Sequence, residues 1–171
     1  MSNARRNVRI FVGLFLLAAV STGVYYLYLY KPEKKAGILL EHTGNSFKKE
    51  GELTFIDGET GEKVITIDIE KAETPEEHEI GLMYRRDMQE SQGMLFIGKQ
   101  EEEKGFWMKN TYIALDIIYV NAEKEIVSIG KYAKPQSTES IPSGAPAQYV
   151  VEVVAGFSDK YGIGKGDKIS F

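Results

Sequence analysis

The chain has no cysteine among its 171 residues, so disulfides, lipid attachment through a cysteine and thiol nucleophiles are all excluded. Oxidising surroundings therefore neither help nor harm it. Histidine is almost as scarce. Only His42 and His78 occur, and His78-Glu79 is followed by Leu82 where a zinc-protease helix requires its second histidine. No G-x-S-x-G elbow is present, which removes the common exposed-nucleophile hydrolases. The segment Gly162-Ile163-Gly164-Lys165-Gly166-Asp167 lacks the Ser or Thr that follows Gly-Lys in a phosphate loop, and it reads as a turn into a last strand. No cofactor motif and no metal-ligand set emerges. Thioethers select Cu(I), but Met83, Met88, Met94 and Met108 read as fillers of irregular core gaps.

Charge is also missing where it would otherwise be expected. Residues 10–30 carry none, and no acidic residue occurs in the first thirty positions. About 20 apolar residues suffice to cross a bilayer as a helix. Arg5, Arg6 and Arg9 precede the run and Tyr25, Tyr26, Tyr28 and Tyr30 crowd its far end. By the positive-inside rule, residues 1–9 are expected to form a cytoplasmic stub and residues 10–30 a single-pass signal anchor in the cytoplasmic membrane. The rest of the chain then faces the periplasm or the extracellular side. A cleaved signal peptide is the alternative, with small residues Ala18, Ala19, Ser21 and Thr22 near a possible cut, although its apolar core is typically about 7 to 15 residues. The formal net charge is −4, and setting the three N-terminal arginines aside leaves −7 for the remainder. An acidic domain is a poor partner for nucleic acid, whose phosphates demand a basic face.

Residues 31–49 show no sustained period and read as a tether. GELTFID and KVITIDIEK then alternate apolar and polar residues around Gly58-Glu59-Thr60-Gly61, which predicts a hairpin. Thr74, Pro75 and Glu77 form a capping-box start for a helix expected to reach about Tyr84. Short apolar runs follow to the C-terminus, with a helical turn expected after Gly156 and a final strand after Asp167. Residues 134–146, with three prolines, read as a long loop. The expected fold is mainly β (α+β) over residues 50–171: a compact antiparallel sandwich or partly closed barrel with one covering helix.

Six blocks stand in order along the chain: Gly81-Leu82-Met83-Tyr84-Arg85, Gly93-Met94-Leu95-Phe96, Trp107-Met108-Lys109-Asn110-Thr111, Leu115-Asp116-Ile117-Ile118-Tyr119, Glu152 with Ala155-Gly156, and Gly166-Asp167. In these blocks the chain resembles the prokaryotic family called domain of unknown function 192. That resemblance implies a compact, mainly β fold, often behind an export signal or anchor, and brings no assigned reaction.

Two carboxylates are out of place. Asp116 interrupts IALDIIYV and Glu152 interrupts YVVEVVAG. If their faces are buried, each must be paired, protonated or bonded to backbone amides, because an isolated buried charge is prohibitively costly. Arg85 is the cation expected to reach Asp116, within about 6 Å if the two pair. Asn110 and Thr111 suit either a turn or a polar contact beside Trp107, whose ring offers a stacking face and an N–H donor. The candidate ligand-binding set is therefore Arg85, Trp107, Asn110, Thr111, Asp116 and Glu152. A domain binding a small ligand or envelope protein through these groups is the leading expectation. An Asp116/Glu152 acid–base pair hydrolysing an envelope glycan, and a purely structural accessory, are the alternatives.

Overall fold

The computed structural model describes residues 47–171. The expected cytoplasmic stub, membrane anchor and nearly all of the tether lie outside the described residues. Among the described residues no helix is long and apolar enough to cross a membrane. Seven strands form one sheet: β1 (Gly51–Ile56), β2 (Lys63–Ala72), β3 (Gln92–Phe106), β4 (Leu115–Val120), β5 (Ile126–Ala133), β6 (Ile141–Val154) and β7 (Lys168–Ser170). Their order is β5-β4-β6-β3-β2-β1-β7. Among the described residues two short helices, α1 (Pro75–Ile80) and α2 (Phe157–Tyr161), interrupt the strands.

The predicted hairpin forms between β1 and β2. Asp57 organises its turn by accepting from the backbone N–H groups of Glu59 and Thr60. The sheet is not antiparallel throughout, because β2 and β3 pair in parallel through a crossover that carries α1. Parallel neighbours require such a crossover, and it lays α1 across one face of the sheet. The Thr74 capping box is present as expected. The helix stops earlier than predicted, at Ile80, because Gly81 takes φ 45° and ψ −129°, a backbone state that residues with a side chain rarely adopt. A Cβ there would also stand 3.0 Å from the Phe96 ring.

The expected loop at 134–146 is corrected to 134–140. Pro142 and Pro146 belong to β6, opposite Gly105 and Glu103, in a stretch where the β3–β6 register shifts. Bulged strands tolerate a missing N–H, which is where proline survives in a sheet.

Strict alternation gives the sheet two buried faces. One core joins Leu53 and Phe55 of β1, Leu95 of β3, Ile118 and Val120 of β4, Ile126 of β5 and Ile169 of β7. Strands from opposite ends of the sheet order meet in that cluster, so the sheet is curled around it. Its ends are also tied directly: Ile126 N–H donates to Asp167 O at 2.7 Å and Ile169 N–H to Lys124 O at 2.9 Å. The architecture is a seven-stranded curled half-barrel, with Phe157 of α2 packed into its interior. On the outer face Met94, Phe96, Ile117, Tyr119 and Val150 form a second core, which Leu82 and Met108 help to cover.

Candidate functional site

The strand register decides what each anomalous carboxylate can do. Asp116 stands opposite Val153, while Ile117 stands opposite Glu152. Directly opposed residues project to the same face and successive residues to opposite faces. Asp116 therefore points with Ile118 and Val120 towards the barrel interior, and Glu152 points with Val150 into the outer core. One cleft cannot hold both, so the geometry of a paired acid–base glycosidase is absent.

Asp116 is fully buried. Its Oδ1 accepts from the backbone N–H groups of Tyr132 at 2.9 Å and Gly156 at 3.2 Å, and its Oδ2 from Ser158 N–H at 3.0 Å. These donors lie at the end of β5 and around the start of α2. The carboxylate thus anchors two chain reversals. The expected Asp116–Arg85 pair is not formed, because Arg85 is committed elsewhere. Its Nη2 lies 2.6 Å from Oε2 of Glu70, both side chains more than nine-tenths buried. The approach is an ion contact rather than a directed hydrogen bond, since Oε2 has no hydrogen-bond partner. Glu70 Oε1 accepts from Lys48 N–H.

Glu152 has neither kind of partner. In register it falls between Met94 of β3 and Ile117 of β4, in the middle of the sheet. It is 4% exposed. Among the described residues nothing hydrogen-bonds or pairs with its carboxyl, and desolvation alone pushes that group up to about 8. The group is held mainly as the neutral acid at pH 7, able both to donate and to accept.

Glu152 forms part of a cleft with a free volume of about 30 Å³, bounded by residues 78–83 of α1 and its following turn, by Phe96, Phe106 and Trp107 of β3 and its exit, and by Thr111. The two covering segments are clamped together. Tyr84 N–H donates to Asn110 O at 2.8 Å, and Asn110 Nδ2 reaches Tyr84 Oη at 3.0 Å. Asn110 (φ 58°) and Tyr84 (φ 65°) both occupy the left-handed region. Residues 134–140 brace the second segment, through Met108 N–H to Ser137 O and Gln136 N–H to Thr111 O. Phe96 packs edge-on against Phe106 and against His78, whose Nε2 lies 2.9 Å from Ala72 O. Because that carbonyl can only accept, Nε2 carries the ring proton. Trp107, 46% exposed, stands at the rim with Lys109 Nζ 4.9 Å from its ring centre.

Of the six sequence candidates, Trp107, Thr111 and Glu152 come together at the cleft. Asn110 supports it as a turn residue and clamp. Arg85 and Asp116 belong to separate structural networks. His78, Phe96 and Phe106 were not among the candidates. The periodic pattern that marks a core aromatic does not reveal that its ring also lines a cleft. Among the described residues there is no group of three or more His, Cys, Asp or Glu suited to a metal ion.

The family model for domain of unknown function 192, described as an uncharacterised ACR, matches residues 56–171. The chain belongs to that family. Among solved structures, it is similar to a protein from Sinorhizobium meliloti 1021 described as a candidate transcription regulator. Identity is 35% over 73% of this chain and 95% of that one, with a TM-score of 0.68. It is also similar to a protein of unknown function from Novosphingobium aromaticivorans DSM 12444, with 31% identity over 70% of this chain and 84% of that one, and a TM-score of 0.66. No curated protein matches. The family membership fixes the fold and leaves the activity open.

Proposed function

We propose that this family member is a ligand-binding module that works at the cell envelope and captures a small polar group in the cleft over Glu152. One observation carries the reading. A carboxyl in mid-sheet, on a side chain only 4% exposed and with no hydrogen-bond or ion-pair partner among the described residues, faces a cleft lined by aromatic rings, where a group from outside can supply the bond the fold does not. Binding sites combine apolar walls with a few convergent polar groups, and Glu152 with Thr111 fits that description. Envelope placement is supported by the uncharged run at residues 10–30 behind three arginines. The regulator description of the Sinorhizobium protein transfers poorly, because the acidic balance beyond residue 30 gives nucleic-acid phosphates little to bind.

Trp107 is the sole tryptophan and stands at the rim, so its emission reports occupancy. A fragment screen on the full chain is expected to yield small polar compounds that shift this emission in the parent and not in Glu152→Leu. Compounds that bind the Glu152→Leu variant equally well, or a screen in which nothing shifts Trp107, would overturn the reading.

A further inference from the structure

The cleft constrains its occupant more tightly than the general reading of a ligand site over Glu152 requires, and the identity of that occupant rests on that reading. A water-sized group needs roughly 10–15 Å³ of such space. The free volume of about 30 Å³ therefore admits about two such groups. A guanidinium, with four heavy atoms in a plane, or a quaternary ammonium, with five, exceeds that space and would have to sit partly outside it. The floor is a carboxyl that receives no hydrogen bond, and an aromatic wall of Phe96, Phe106 and Trp107 stands around it. Ring faces attract cations, and Trp107 already holds the ammonium of Lys109 4.9 Å from its centre, on the rim outside the cleft.

We propose that the cleft is a receptor for a primary alkylammonium group, with the head on Glu152 and a slender methylene chain leaving past Trp107. A neutral alcohol of the same length could also bond to the acid, but it would gain nothing from the rings and could form no ion pair. An anion would be repelled once Glu152 ionised. The same head group occurs on free amines and on lysine side chains, and the two sources differ only in what lies beyond the rim.

Capture has a proton signature. An ammonium stabilises the carboxylate, so its arrival drives the Glu152 proton into solvent: the acid O–H breaks, the proton leaves, and the ammonium remains intact. The other titratable groups facing the cleft are His78 and Glu79 of α1, while Tyr119 of β4 senses the Glu152 charge from the strand beside it. Glu70 and Arg85 are already paired with each other beyond Met94.

The experiment is calorimetric titration of the full chain with n-butylamine, n-butanol, butyrate, tetramethylammonium and Nα-acetyl-lysine methylamide, with Trp107 emission read in parallel. The expected result is binding of butylamine at least about tenfold tighter than butanol, because a charge-assisted bond is roughly twice a neutral one. Tetramethylammonium and butyrate should not bind. Buffers of different ionisation enthalpy should show a proton released per amine bound, with affinity rising from pH 6 to 8. Glu152→Gln should lose at least about tenfold in butylamine affinity while remaining folded. Binding of the lysine derivative as tight as that of butylamine assigns the site to peptide lysines, and binding of butylamine alone assigns it to free amines. Butanol or butyrate binding as well as butylamine would overturn the ammonium assignment while leaving a ligand site standing. No response to butylamine would overturn it too, and the fragment screen then decides the broader reading separately.

Discussion

Replacing Asp116 with Asn exchanges one oxygen for an NH₂ group and removes a charge that three backbone amides share. In the parent, Oδ1 serves Tyr132 and Gly156 and Oδ2 serves Ser158. The best orientation of the amide keeps its oxygen on the first two and turns its nitrogen towards Ser158 N–H, donor against donor. One bond to a charged acceptor, about 1.5–3 kcal/mol, is lost outright. The other two fall to about half their strength as the charge disappears. Relief of the buried charge's desolvation offsets part of this, leaving a net loss of about 2–4 kcal/mol. At about 4 °C per kcal/mol for a domain of this size, the melting temperature should fall by about 8–16 °C. Thermal and urea melts of the full chain measure it, with Asp87→Asn as the control: Asp87 is exposed, and its change should stay within about 0.5 kcal/mol. Amide exchange at Ser158 and Gly156 should accelerate, while Trp107 emission, which reports the opposite face of the sheet, should not move. A melting temperature within about 2 °C of the parent would refute the anchor reasoning.

Glu152 sets the sign of a pH dependence. Its folded-state carboxyl titrates near 8 against an ordinary value of 4.5, so the folded protein binds more protons than the unfolded chain between those values. Its stabilising protonation is complete below pH 4.5 and is lost as pH rises through 8, at up to about 1.4 kcal/mol per pH unit. Glu152→Gln should flatten that decline and raise the melting temperature at pH 8, as urea melts from pH 5 to 9 would show. Arg85→Met strands the Glu70 carboxylate and should cost about 3–5 kcal/mol in urea unfolding. The double change Glu70→Leu with Arg85→Met should recover more than half of that loss, and no recovery would mean that the two side chains do not act as a pair. A periplasm-dependent reporter fused after Phe171 should be active if residues 10–30 form an anchor with the N-terminus inside, and activity only of a cytoplasm-dependent reporter would reverse the orientation.

What could be read from the sequence is what depends on neighbours along the chain. The β1–β2 hairpin was legible because alternation and a turn fall together, and the start of α1 because Thr74, Pro75 and Glu77 act within one turn. The end of α1 was not, because Gly81 is tied to a distant ring, Phe96. Nor was the strand character of Pro142 and Pro146, which depends on the irregular pairing with β3. The partner of Arg85 was hidden for a related reason. Glu70 follows Asp68 on the polar alternation of β2 and looks solvated, yet it is buried and paired with Arg85 from the turns after α1.

Asp116 and Glu152 looked alike in sequence because each is one acid in an apolar strand, and alternation reveals parity within a strand but not between strands. The register 116 opposite 153 separates them. The face each projects to then settles their fates, since the two lie only one register step apart. Asp116 is the second residue of β4, close to where β5 and β6 end and their backbone amides run out of ladder partners. Free N–H groups are abundant there, and a carboxylate that accepts them spares each a buried vacancy. Glu152 lies between Met94 and Ile117, where the amides of both neighbouring strands are engaged in pairing. No backbone donor is left to reach it, so a partner must come from the layer above. That layer offers aromatic rings, a threonine and a space. A carboxyl on the interior face beside two chain reversals is satisfied by the fold itself, whereas one a single step away on the outer face, under an apolar cover, is left for a partner from outside.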